Sequence, residues 1–432
     1  MNTTFLHTQN TDREHCLSPV FDLESDRPVD ALIAKPRGIE SLNPTMRTTG
    51  LGGATRASAR IADFLKHSTL PTPFLAVDGA VVSEKLAQLQ HGLPEAAIFY
   101  AVKANPLPGV LALVAAAGVG CDVAGAEEIR LCLKAGVSPE RMSFGNTIKR
   151  PEDIAFAHSF GIDRFSFDCE EELDKLARLA PGARVFVRIL TQGESAEWPL
   201  SRKFGCDLAM ALELLRLASD RGLHPYGVSF HVGSQQTDPR QWDAPIAECA
   251  WLFSRLAEDG IALRAINLGG GFPARYTKPI PPVARYASAI RQSLRRHFGG
   301  NVPELMIEPG RFLVAEAGVI QTEVLLVSRK SHGNSQRWVY IDCGKFGGLV
   351  ETMDEAIRYP IVAPQRGAGH SPAVIAGPTC DSADILYERT PVDLPADLRA
   401  GDRLQVLTAG AYTYTYSSVG FNGFGPLRTV FL

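Results

Sequence analysis

The chain has 432 residues, 45% hydrophobic and 21% charged, with a formal net charge of −3. That length allows two domains and a sizeable core, and the small net charge gives no electrostatic reason to bind nucleic acid or an anionic membrane. No apolar run reaches the length of a membrane span, and the 8 cysteines contain no CxxC pair that would announce zinc or redox chemistry. A reduced, cytoplasmic setting and no metal are expected.

Residues 1–58 carry no apolar periodicity and are rich in Asp, Glu, Ser, Thr and Pro, with GLGG at Gly50 to Gly53 as a joint. This composition predicts a disordered extension. It lacks the apolar core of a signal peptide, and its acidic residues argue against a mitochondrial transit peptide. Met46 is an alternative start. Residues 59–80 include PTPFLAVD (71–78), read as a strand that joins a later β domain.

Residues 81–311 alternate short β-rich runs with amphipathic helical stretches. The runs are AIFYAVKA (97–104), GVGCDVA (118–124), RMSFGN (141–146), DRFSFD (163–168), RVFVRIL (184–190), YGVSFHVG (226–233), AINLGGGF (265–272) and ELMIEPG (304–310). Eight such strands predict a (β/α)8 barrel of the TIM type, with a doubly wound open sheet as the alternative. From residue 312 to 432 the helical stretches disappear. GVIQTEVLLVSRK, QRWVYIDCG, PAVIAGPTC and DRLQVLTAG predict a C-terminal β-sandwich or small β-barrel, antiparallel in its pairing.

Barrel chemistry sits at the C-terminal ends of the strands. In strand order those ends carry Lys103, Asp122, Asn146, Asp168, Arg188, His231, Gly269 to Gly271, and Glu308 followed by Gly310 and Arg311. The three glycines free backbone N–H groups for a phosphate, Arg311 offers a fork for its oxygens, and an amine stands opposite a carboxylate suited to a ring nitrogen. Together these types point to pyridoxal phosphate, with Lys103 as its attachment point. Each residue also has a plainer reading. Lys103 could be a solvated rim lysine, His231 a satisfied core histidine, Glu308 a partner of Arg311, and Arg188 an interior ion pair with Asp122 or Asp168.

FYAVKANP, SFHVGSQ, NLGGGFP, IEPGRF, GPTCDSAD and GAYTYTYSSVGFNGF, in that order, resemble the alanine-racemase-fold, pyridoxal-phosphate decarboxylases of basic amino acids. Those families act on ornithine, lysine, arginine or diaminopimelate. The resemblance runs from about Ile61 to Leu432, and GESAEWPLSRKFG and GKFGGLVETMDEAIRYP are similar to the bacterial ornithine branch. It implies a (β/α)8 barrel with Lys103 bound to the cofactor, Glu308 at the ring nitrogen and His231 stacked on the ring. Asp122 and Arg188 would lie near the attachment point and ring hydroxyl, while Ser234, Gly269, Gly270, Gly271, Gly310, Arg311 and Tyr412 would surround the phosphate. Cys380 would return a proton to the substrate carbon. Asp381 would reach the substrate from the partner subunit of a homodimer, with Phe421 among the substrate contacts.

A distal ammonium seeks a carboxylate, and Glu351, Asp354, Asp381 and Asp384 stand in the segments most specific to the family. Glu351 and Asp354 compete for one role. Relatives acting on diaminopimelate carry a glutamate after the cysteine where this chain has Asp381, so a substrate ending in an amine alone is expected. The implied activity is decarboxylation of L-ornithine to putrescine, with a lysine or dual lysine/ornithine decarboxylase as the alternative. A catalytically dead, decarboxylase-like regulator is the alternative outside enzymes.

Overall fold

The computed structural model describes residues 56–191, 196–198, 203–333, 335–364 and 369–432. Nearly all of the extension expected to be disordered, and parts of GESAEWPLSRKFG, lie outside them. Helix α1 (Ala59–His67) starts at Ser58, whose side chain accepts the Ile61 N–H, and buries Ile61 and Leu65. Strand β1 (Phe74–Val77) is buried throughout, and Asp78 then caps α2 (Gly79–Gly92) through the Ala80 N–H.

The chain next alternates β2 (Ala96–Ala101), α3 (Pro108–Ala116), β3 (Gly120–Val123), α4 (Ala126–Lys134), β4 (Met142–Phe144), α5 (Pro151–Ser159), β5 (Arg164–Phe167), α6 (Glu170–Leu179) and β6 (Arg184–Arg188). After β7 (Ala196–Trp198) come α7 (Leu208–Asp220), β8 (His224–Ser229), β9 (Ser234–Gln236), α8 (Asp243–Glu258), β10 (Ala265–Asn267), α9 (Val283–Phe298), β11 (Glu304–Ile307) and α10 (Arg311–Val314). Strands β2, β3, β4, β5, β6, β8, β10 and β11 close into a parallel barrel, sealed where β11 pairs with β2 in the register Leu305 to Ala96. Closure excludes the open doubly wound sheet. All eight predicted runs supply a barrel strand. The strands are short and apolar because helices cover one face and interior side chains the other. Strands β7 and β9 form a separate antiparallel ribbon.

The rest of the chain is β12 (Gly318–Ser328), β13 (Arg337–Ile341), β14 (Ile361–Val362), β15 (His370–Ala376), β16 (Ile385–Pro395), β17 (Arg403–Leu407) and β18 (Arg428–Phe431). They form a sheet in the order β14-β17-β12-β13-β15-β16, which β1 joins by pairing with both β12 and β18. A shift between Val324 and Leu326 bends β12, so its first half pairs with β17 and its second with β13. The sheet is mixed rather than antiparallel: β13 runs parallel to β15, and β1 parallel to β18. Strand β1 thus ties the chain ahead of the barrel into the C-terminal sheet.

Candidate active site

Strand β2 stops at Ala101, and a single tight turn, Val102–Ala104, lifts Lys103 from the sheet. Asn105 fixes the turn: its carbonyl accepts the Tyr100 hydroxyl at 2.8 Å, and its side-chain amide donates to the Gly410 carbonyl at 2.8 Å. Tyr412 N–H donates to the Ala104 carbonyl at 2.9 Å. The lysine backbone is therefore held between the barrel and the C-terminal sheet. Lys103 Nζ lies 2.9 Å from Asp122 Oδ2, in a recess that leaves the lysine side chain 51% exposed and that of Asp122 only 3%. Enclosure lowers the lysine pKa, but Asp122, Tyr412 and Glu308 outweigh it and the net shift is upward.

Asp122 also accepts the Gly145 N–H at 3.1 Å. A Cβ at Gly145 would lie 2.2 Å from Asp122 Oδ1, so only glycine fits there. Glu308, just beyond β11, accepts a hydrogen bond from the Asn267 amide, whose oxygen accepts the Gly269 N–H at 3.0 Å. Burial first, then Asp122, raise the Glu308 pKa to about 7 against the pull of Lys103, Asn267 and Arg188. Arg188, at the end of β6, sits with its guanidinium 5.2 Å from the Phe204 ring centre. Burial lowers its pKa, with Glu308, Asp168 and Asp122 opposing. His231 is pushed down to about 3 by burial and by the neighbouring Arg188 and Lys103 cations. Its Nδ1 takes the Gly233 N–H at 3.0 Å, which puts the proton of the neutral ring on Nε2.

The glycine run is dictated by crowding. A Cβ at Gly269 would lie 2.1 Å from the Phe230 carbonyl oxygen, one at Gly270 2.7 Å from that of Glu308, and one at Gly271 2.7 Å from that of Gly233. Gly269 and Gly271 also have φ of +65° and +97°. Beside them Arg311 contacts Ser234 Oγ at 3.0 and 3.2 Å, and its guanidinium lies 5.0 Å from the Tyr412 ring centre. A Cβ at Gly310 would meet the Tyr412 hydroxyl at 2.9 Å. An amine, a buried carboxylate, a glycine cradle, a hydroxyl and a guanidinium thus converge at one mouth. That donor set fits a phosphorylated aldehyde built on a basic ring.

Other expected residues lie elsewhere. Cys380 and Asp381 are exposed. Cys380 N–H donates to Asn422 Oδ1 at 3.0 Å, and the Asn422 amide donates to Cys380 Sγ at 3.3 Å. Phe421 is 38% exposed, its ring 4.9 Å from that of Phe346. Among the described residues, no hydrogen bond or ion pair links Cys380, Asp381 or Phe421 to Lys103. Asp384 is buried and accepts from Lys345 N–H and from the Thr379 N–H and hydroxyl, so it closes its own loop. Asp354 is 83% exposed and meets Arg389 at 3.1 Å, whereas Glu351 is buried against Arg311. One titrating neighbour escaped the sequence. Glu128, on the first turn of α4, accepts the Ala124 N–H at 2.8 Å and is raised to about 7 by burial. Its position just after a strand end was the available signal.

Known proteins are similar to this chain over most of its length. Residues 80–315 match the family described as "Pyridoxal-dependent decarboxylase, pyridoxal binding domain". A lysine/ornithine decarboxylase of Selenomonas ruminantium is 35% identical over 84% of this chain and 90% of that protein. Antizyme inhibitor 2 of Xenopus laevis is 34% identical over 81% of this chain and 78% of its own length. The solved lysine/ornithine decarboxylase of Vibrio vulnificus, complexed with cadaverine, superposes with a TM-score of 0.79 at 30% identity, covering 87% of this chain and 100% of that one. Among the described residues, no helix is long and apolar enough to cross a membrane.

Proposed function

Because the chain belongs to the pyridoxal-phosphate-dependent decarboxylases of the ornithine/lysine family, we propose that it converts L-ornithine to putrescine and carbon dioxide, in the cytoplasm, as a homodimer with shared sites. When bound, the cofactor supplies a cationic ring that accepts the electron pair left by the departing carboxylate. Lys103 holds it covalently, and Asp122 Oδ2, 2.9 Å from Nζ, orients the amine and is the nearest proton acceptor. Arg188 would serve the ring hydroxyl of the bound group. Glu308 keeps a proton on the ring nitrogen. Its own raised pKa reflects an enclosed carboxylate for which a cation is a favourable neighbour. His231 is neutral and would supply a flat face for the ring to stack on. Gly269, Gly270, Gly271, Gly310, Ser234, Arg311 and Tyr412 hold the phosphate.

Asp381, with Cys380 before it in the chain, reaches the substrate from the second subunit. Cys380 delivers its thiol proton to the substrate Cα once carbon dioxide has left. Asp381 receives the distal ammonium, and Asp354 and Phe421 are further substrate contacts. An exposed thiol and carboxylate, adjacent in the chain and, among the described residues, without a hydrogen bond or ion pair to the lysine of their own chain, support this reading. The decisive experiment offers the purified, cofactor-loaded protein ornithine, lysine, arginine and diaminopimelate and measures carbon dioxide and amine. Ornithine is expected to give the highest kcat/KM. Equal or better turnover of lysine would replace the reading with a dual or lysine decarboxylase, which the lysine/ornithine relatives favour. Absence of turnover on all four would favour a regulator, as the similarity to antizyme inhibitor 2 allows.

A further inference from the structure

We infer that Glu351 is a positioning residue for phosphate recognition: it clamps one edge of Arg311 so that the other edge faces the phosphate of the cofactor. The inference rests on the cofactor occupying the Lys103 site. Arg311 has five N–H donors, and all five have an acceptor. Nη1 donates to Glu351 Oε2 and to the Tyr276 hydroxyl, both at 2.7 Å. Nη2 donates to Glu351 Oε1 at 2.6 Å and Ser234 Oγ at 3.0 Å, and Nε donates to Ser234 Oγ at 3.2 Å.

These acceptors are unequal. Glu351 makes a two-pronged, charge-assisted pair in which both side chains are 2% exposed, so losing it would strand a buried anion. Ser234 Oγ is neutral and shared between two longer bonds. A phosphate oxygen can take over the Nε–Nη2 edge while the serine hydroxyl turns to donate to the same phosphate. That edge also adjoins the glycine cradle: Gln236 N–H bonds the Gly271 carbonyl at 2.9 Å, and a Cβ on Gly271 would meet the Gly233 carbonyl oxygen.

The backbone carrying Glu351 is set for this task. Asp354 and Glu355 have φ of +52° and +59°, a left-handed conformation that non-glycine residues avoid. The Glu355 carboxylate anchors the bend by accepting Glu388 N–H at 2.9 Å and Arg389 N–H at 2.6 Å. Ile357 N–H closes it onto the Glu351 carbonyl at 2.9 Å. The bend buries Glu351 and leaves Asp354 exposed. Glu351 is thereby removed from competition for the substrate ammonium, and Asp354 stays in it.

The test measures Kd for pyridoxal phosphate and for pyridoxal, which lacks the phosphate, on cofactor-resolved full-length wild type and Glu351→Gln. The expected result is that the preference for the phosphorylated form falls by about 10-fold or more in the variant. The ornithine-to-lysine ratio of kcat/KM at saturating cofactor should not move. An unchanged phosphate preference, or a shifted substrate ratio, overturns the inference. Should Glu351→Gln fail to fold, Tyr276→Phe removes the other acceptor on Nη1. It is expected to lower the same preference by a smaller factor, and an unchanged preference overturns the inference equally. Borohydride fixation in wild type separates the two claims, because cofactor found on a lysine other than Lys103 sinks the premise and not merely the role of Glu351.

Discussion

The barrel mouth and the exposed loops of the C-terminal domain treat polar groups in opposite ways. At the mouth Lys103 meets Asp122, Glu308 meets Asn267 and Arg311 meets Glu351, all within one chain and mostly out of water. On the loops Cys380, Asp381 and Asp354 lie in solvent, and Val419, Phe424 and Tyr416 of the same domain are exposed too. Buried charges persist only where each offsets the desolvation of another. Exposed ones have nothing to act on until a second surface covers them. The proposed homodimer would use this contrast, one chain building the cofactor half of a site and another completing the substrate half.

The strongest way to break this division is Lys103→Ala. It should abolish the covalent cofactor band and lower kcat/KM by at least about three orders of magnitude. Reduction with borohydride and peptide mapping checks it, and a cofactor fixed elsewhere would end the argument for the mouth. Mixing inactive Lys103→Ala chains with inactive Cys380→Ala chains comes next. Random exchange gives heterodimers with one intact site, so about a quarter of wild-type activity should return. Verified exchange with no recovery would mean that each site lies within one chain.

Asp381→Asn keeps the side-chain shape and removes the charge. It should lower kcat/KM for ornithine by roughly 2 to 4 kcal/mol of transition-state binding with the cofactor spectrum intact. Wild-type kcat/KM in this variant would leave the distal ammonium without its partner.

The same contrast explains how much was legible. Barrel strands are covered on both faces, so they appear as apolar runs that end in polar residues on one rim, and Lys103, Asp122, His231 and Glu308 can be read straight off them. Strand β16 was missed because ILYERTPVDLP mixes charges with Pro391 and Pro395 and is buried mainly near its ends. Glu351 was visible as a carboxylate, but its partner lies 40 positions away across two domains, and no local pattern encodes that pairing. Glu128 and Asn267 matter only through what closure of the barrel brings beside them.

A smaller effect comes from pH. In the cofactor-free protein Glu308 titrates near 7, above the ordinary carboxylate value of 4.5. A folded pKa above the unfolded one means that its stabilising contribution is complete below about pH 4.5 and is lost as pH rises through about 7. Glu308→Gln is permanently neutral. It should match wild type in unfolding free energy near pH 4.5 and exceed it by about 1 to 2 kcal/mol at pH 8, with allowance for its charged neighbours. Denaturant titration at both pH values checks the sign. A variant less stable at pH 8 would mean that Lys103 and Arg188 hold the carboxylate ionised.

The smallest effect is expected at Asp354, and it tests the exposed half on its own terms. Its pair with Arg389 joins side chains that are 83% and 70% exposed, where solvent and salt screen the attraction and ordering two side chains offsets the rest. Asp354→Asn should therefore change the unfolding free energy of the chain by no more than about 0.5 kcal/mol, with no resolved change in cofactor affinity. A larger consequence would point to a surface that covers Asp354 in the proposed dimer. A loss of ornithine kcat/KM with stability unchanged would set this carboxylate beside Asp381 at the distal ammonium. A loss of stability that grows with protein concentration would instead assign it to the subunit contact, since only an interface makes stability depend on concentration.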